Sequence, residues 1–80
     1  MIRAIVRGHS RKECERLYRR YCDALRIPCR AEEAVFLSSD NSPSKNAEKV
    51  RGSYNDVVEG RVHLVNMTLQ DFKFLYSGCF

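Results

Sequence analysis

Ile2-Arg3-Ala4-Ile5-Val6-Arg7-Gly8 runs straight into His9-Ser10-Arg11-Lys12-Glu13-Cys14, and at that junction the hydrophobic period changes from two to between three and four. Before it, Ile2, Ala4 and Val6 fall on one side and Arg3, Ile5 and Arg7 on the other, the alternation of a strand closed by Gly8. After it, Ser10 and Glu13 form a capping box, the hydroxyl accepting from an early helical amide while the carboxylate reaches back. Cys14, Leu17, Tyr18, Tyr21, Cys22 and Leu25 then recur at spacings of three and four and cover an arc of roughly 140°, a core-facing stripe. The pattern predicts a helix over 11–26, stopped by Pro28.

Ala34-Val35-Phe36-Leu37 reads as a second strand, parallel to the first if the helix crosses over between them. Ser38-Ser39-Asp40-Asn41-Ser42-Pro43-Ser44 has loop composition, and a flexible loop is expected over about 38–46. A short helix is expected near 44–51. Beyond it, Val57-Val58, Glu59-Gly60 and Arg61-Val62-His63-Leu64-Val65 fit a hairpin. Thr68 and Asp71 resemble a second capping box, opening a helix through Leu69, Phe72 and Tyr76 with Gly78 beyond its end. Phe72, Phe74 and Tyr76 also alternate, so a last strand is the competing reading. The expected fold is an α+β, βαβ-led small sandwich, with a three- or four-stranded mixed sheet packed against one long N-terminal helix plus a short C-terminal helix.

Eighty residues with 44% hydrophobic and 30% charged content form one small domain over 1–80. Such a chain hides only about 60% of its unfolded surface, which excludes a two-domain enzyme or a cofactor-spanning nucleotide fold. No apolar run approaches the roughly 20 residues of a bilayer helix, so no membrane association is expected. The opening lacks the apolar run of a signal peptide, and a cytoplasmic location is expected. Cysteines 14, 22, 29 and 79 contain no CxxC pair, and read as reduced, buried, small hydrophobes.

Charge is distributed unevenly. Residues 1–30 carry nine basic and three acidic groups, a net of +6, whereas residues 31–80 carry five and seven, a net of −2. Ten of the fourteen cations are arginine, whose planar fork suits carboxylate and phosphate. Lys12, Arg16, Arg19, Arg20, Asp23 and Arg26 lie opposite the helix core stripe, where Lys12–Arg16 and Arg16–Arg20 repel at i,i+4. Arg3 and Arg7 share a strand face, and Arg61 and His63 would share the neighbouring one, so the four are expected to converge on an open sheet surface. Arg3, Arg7, Arg11, Lys12, Arg16, Arg19, Arg20, Arg61 and His63 make up the expected partner-binding set. The function they indicate is non-catalytic binding to an anionic partner, an acidic protein surface or nucleic acid, without a cofactor. An inhibitor or adaptor of the phage or mobile-element kind, acting on a protein that handles nucleic acid, fits the size and charge.

Other readings compete. Direct, sequence-nonspecific nucleic-acid binding would use phosphate contacts, since neither strand offers an aromatic stacking platform. His9 and His63 could serve as acid and base of a small metal-free ribonuclease of toxin type. Cys22, Cys29, Cys79 and His63 could recruit zinc, although the paired ligand spacing is missing. Gly8-His9-Ser10 joins a strand to a helix N-terminus as an anion pocket would, without a Walker loop. Tyr18 and Tyr21 are expected to be half core, with their hydroxyls at the rim.

Overall fold

The computed structural model describes residues 2–77. The elements follow in the order β1 (Ala4–Gly8), α1 (Arg11–Leu25), a 3-10 turn (Ala31–Glu33), β2 (Ala34–Ser38), α2 (Pro43–Lys49), α3 (Tyr54–Val58), β3 (His63–Val65) and α4 (Leu69–Ser77). The α+β sandwich expected from the sequence is present: a three-stranded sheet with a long N-terminal and a short C-terminal helix. Its sheet is parallel throughout rather than mixed, in the order β2-β1-β3.

β1 is central, and Ala4, Ile5 and Val6 are all completely buried. A strand buried on both faces is what a parallel sheet covered by helices demands. Ala4 and Val6 pack with Cys14, Tyr18 and Cys22 of α1 and with Phe36. Ile5 turns the other way and packs with Leu37, Val50, Val57, Val62 and Phe72, under α2, α3 and α4. Gly8 ends β1 where the chain folds tightly onto α1: a Cβ there would stand 3.1 Å from both the amide N and the Sγ of Cys14.

The capping box at the start of α1 forms as expected. Ser10 Oγ accepts from the Glu13 amide at 3.2 Å, and Glu13 Oε1 accepts from the His9 amide at 2.7 Å. The helix ends at Leu25, three residues before Pro28. Arg26 takes a left-handed conformation at φ 56°, its amide donates to the Asp23 carbonyl, and the Ile27 amide donates to the Cys22 carbonyl. This is a Schellman ending, with Ile27 packed against the α1 core.

Ser42 caps α2 with Pro43 in its first turn, so the loop expected over 38–46 is half helical and the irregular part is 39–42. The hairpin expected over 57–65 does not form. Val57 and Val58 close α3, whose Val57 and Glu59 amides donate to the Ser53 and Asn55 carbonyls. A turn at Gly60 then leads into β3, which pairs with the free edge of β1. α4 is helical as expected: Thr68 and Asp71 exchange capping bonds, and Phe72 is fully buried whereas Phe74 is 64% exposed. Gly78 lies outside the described residues. No helix among the described residues is long and apolar enough to cross a membrane.

Candidate functional site

The outer side of α1 is the candidate surface. The core stripe Cys14, Tyr18 and Cys22 is buried, so helical geometry turns Lys12, Arg16, Arg19, Arg20 and Asp23 to the opposite side, where all five are exposed. From Lys12 to Asp23 the ridge runs for about 17 Å. Arg16 reaches Glu13 at 3.5 Å. Lys12, Arg19 and Arg20 have no side-chain hydrogen bond or ion pair with any described residue. Arg11, one step round the helix, bonds Glu15 at 3.3 Å and lies over the Phe36 ring at 5.1 Å.

The other cations expected at the site are elsewhere and are held by the chain itself. Arg3 pairs with Glu33 at 3.1 Å beside the start of β2. Arg7 pairs with Asp71 of α4 at 3.4 Å. Arg61 binds Asp56 at 2.7 Å and also Glu59, closing the turn that precedes β3. These pairs are exposed, and solvent screening leaves each of them little net stabilisation.

The convergence of Arg3, Arg7, Arg61 and His63 is therefore overturned. In the parallel register Ala4 stands opposite His63, which puts His63 on the α1 side of the sheet, on the face opposite to Arg7, while the Arg3 carbonyl accepts from the His63 amide at 3.0 Å. There its Nδ1 hydrogen-bonds the Tyr21 hydroxyl at 2.7 Å. The face carrying Arg7 is not open either, because α2, α3 and α4 cover Ile5 beside it.

The two histidines do not meet. His9 follows the C-terminal end of β1 and His63 begins β3, so parallel strands hold them at opposite ends of the sheet, about 15 Å apart along the strand direction. Among the described residues no group of three or more His, Cys, Asp or Glu side chains is placed to hold a metal ion, and Cys79 of the zinc reading lies outside them. At the N-terminus of α1, Glu13 occupies the His9 amide that an anion would use. A cavity of about 290 Å³ lies there between Arg7, Gly8, His9, Glu13, Ser39 and Asn66.

Two features were not anticipated. Tyr18 is buried to its hydroxyl rather than half exposed, and Oη has no well-formed hydrogen bond. Burial, followed by the neighbouring Cys22 thiol, pushes its pKa up to about 12. Cys29 is exposed rather than core, and lines a second cavity of about 290 Å³ with Tyr18, Arg19 and Phe36. The only advance sign of the latter was Pro28, which forces the chain away from the helix axis just before Cys29.

Compared with protein-family models, with curated proteins and with solved structures, the chain matches none of them.

Proposed function

We propose that the protein is a non-catalytic binding protein of the cytoplasm, an inhibitor or adaptor whose α1 ridge engages an acidic surface on a protein that handles nucleic acid. The observation that carries this reading is the ridge itself: Lys12, Arg19 and Arg20 have no carboxylate partner among the described residues, whereas Arg3, Arg7, Arg11, Arg16 and Arg61 do. Unrelieved like charges on one exposed helix cost stability, and an acidic partner relieves them.

A protein surface suits the ridge better than a phosphate backbone. Asp23 lies among the arginines, and α1 as a whole carries five cations against Glu13, Glu15 and Asp23. A phosphate lattice would repel those carboxylates, whereas a mixed acidic protein surface answers both signs.

Capture of host proteins on the immobilised chain tests the reading. The triple variant Lys12→Glu/Arg19→Glu/Arg20→Glu is expected to keep the circular dichroism spectrum and lose the captured partner. Arg3→Ala, Arg7→Ala and Arg61→Ala should capture it as before. Undiminished capture by the triple variant overturns the proposal. Labelled DNA and RNA oligonucleotides supply the control: binding that falls steeply with salt would move the target from protein to nucleic acid.

A further inference from the structure

β2 is an edge strand, paired with β1 on one side only. The Ser39 amide donates to the Gly8 carbonyl at 3.0 Å. Backbone direction alternates along a strand, so residues 35, 37 and 39 face β1 while Ala34, Phe36 and Ser38 face outward. The chain itself occupies part of that outer edge. The Ala34 amide donates to the Ala31 carbonyl, Lys49 Nζ donates to the Phe36 carbonyl at 3.0 Å, and Asn46 Nδ2 donates to the Ser38 carbonyl at 3.0 Å. Two neighbouring groups, the Ala34 carbonyl and the Phe36 amide, have no bond with any described residue. A cavity of about 270 Å³ lies against them, lined by Arg11, Ala31, Ala34, Val35, Phe36 and Lys49. Both of its charged walls are cationic. Arg11 lies over the Phe36 ring at 5.1 Å, on the α1 side of the sheet, and Glu15 bonds only its Nε, at 3.3 Å. Lys49 comes from α2, on the other side.

We infer that this edge takes an extended acidic segment of a partner protein, added to the sheet as a parallel fourth strand. A parallel neighbour sets the N–H and C=O of one residue between the carbonyl of residue i−1 and the amide of residue i+1 on the strand it joins. Around Val35 those are the Ala34 carbonyl and the Phe36 amide, the two groups left open. An antiparallel neighbour bonds both groups of one residue instead, and the Ala34 amide and the Phe36 carbonyl are already used. That argues against a second copy of the chain, because two β2 edges related by a two-fold axis run antiparallel. Such a pair would also bring the Arg11 and Lys49 cations of both copies together. Successive side chains of an added strand turn to opposite faces, so adjacent carboxylates meet Arg11 on one face and Lys49 on the other. An uncharged strand would desolvate both cations without return, which is the protection a lysine gives an exposed edge. The site uses none of Lys12, Arg19 and Arg20, so it does not rest on the ridge.

The test is an NMR titration of the full, isotope-labelled chain with a blocked peptide of valine and threonine that carries two adjacent glutamates at its centre. The Phe36 amide proton should move downfield, and its exchange with solvent should slow about tenfold at nine-tenths occupancy. The same peptide with lysines in place of the glutamates should leave Phe36 unchanged. So should one N-methylated throughout, which keeps the charges and loses the donors. Lys49→Glu, an exposed substitution, should keep the circular dichroism spectrum and weaken binding by about tenfold. The ridge variant Lys12→Glu/Arg19→Glu/Arg20→Glu should still bind the glutamate peptide at Phe36, so that failure of the ridge and failure of the edge read differently. A Phe36 amide that the glutamate peptide does not move overturns the inference. Equal binding of the lysine or N-methylated peptide, undiminished binding by Lys49→Glu, or binding lost in the ridge variant does the same. So does a Phe36 amide already slow to exchange before peptide is added. Slowing that grows with protein concentration would seat a second copy on the edge, and slowing at every concentration would mean that the chain covers it.

Discussion

The Tyr18 hydroxyl is almost inaccessible to solvent and has no well-formed bond, and it answers to pH with a fixed sign. Its ordinary pKa of 10.0 is pushed up to about 12 by burial, then by Cys22. Below the lower value both folded and unfolded states hold the proton, and the contribution to stability is complete. Between the two values only the unfolded state releases it, so stability falls as pH rises and is spent above the folded value, a loss on the order of 2–3 kcal/mol. Cys14 and Cys22, raised from 9.0 chiefly by burial, act in the same direction and begin lower. The urea midpoint is therefore expected to be lower at about pH 11 than at about pH 8. In Tyr18→Phe that decline should be shallower, and at neutral pH the variant should be unchanged or up to about 1 kcal/mol more stable. A variant as alkali-sensitive as the parent would assign the decline to other groups. Gly8 is constrained by shape instead. Gly8→Ala would press its methyl on the Cys14 amide and sulfur, and a destabilisation of about 1–3 kcal/mol is expected by urea titration.

Among the elements, α1 was legible end to end except at its stop. The Ser10–Glu13 box and the Cys14-Tyr18-Cys22 stripe are local signals, and the helix follows them. Its end depends on Arg26 holding φ 56°, a conformation glycine adopts without cost and arginine does not. Arg26→Gly should therefore raise stability by about 0.5–1 kcal/mol, and an unchanged or lower urea midpoint would show that the arginine side chain compensates. The hairpin expected over 57–65 fails for a different reason. Val57, Val58, Val62 and Leu64 carry the residue preferences of a hairpin, but β3 pairs with a strand almost sixty residues earlier, which no local pattern specifies. The placement of the candidate residues divides in the same way. Lys12, Arg19 and Arg20 are set on one ridge by helical period alone. Placing His63 beside Arg3 and Arg7 required a register, and the true one turns it toward Tyr21.

Across the whole molecule, one strand belongs to two cores. Ala4 and Val6 support the α1 layer while Ile5 supports the layer of α2, α3 and α4, so neither layer can open without stripping a face of β1. That predicts a single cooperative transition in spite of the three-layer build. Tyrosines report on both sides: Tyr18 and Tyr21 stack in the α1 layer, and Tyr54 stacks on Phe72 in the other. Urea unfolding followed by tyrosine fluorescence and by far-ultraviolet circular dichroism should give one midpoint. A core cut in either layer should move both signals together. Phe72→Ala removes a fully buried ring, at a cost of about 3–5 kcal/mol. An 80-residue domain holds only about 4–12 kcal/mol in total, so a large unfolded fraction is expected in that variant even without denaturant. If instead Phe72→Ala melted the α2, α3 and α4 layer while the Tyr18 and Tyr21 environment and the α1 helicity persisted, β1 would not be the link between the cores. The arginine ridge would then stand on a unit that folds without them.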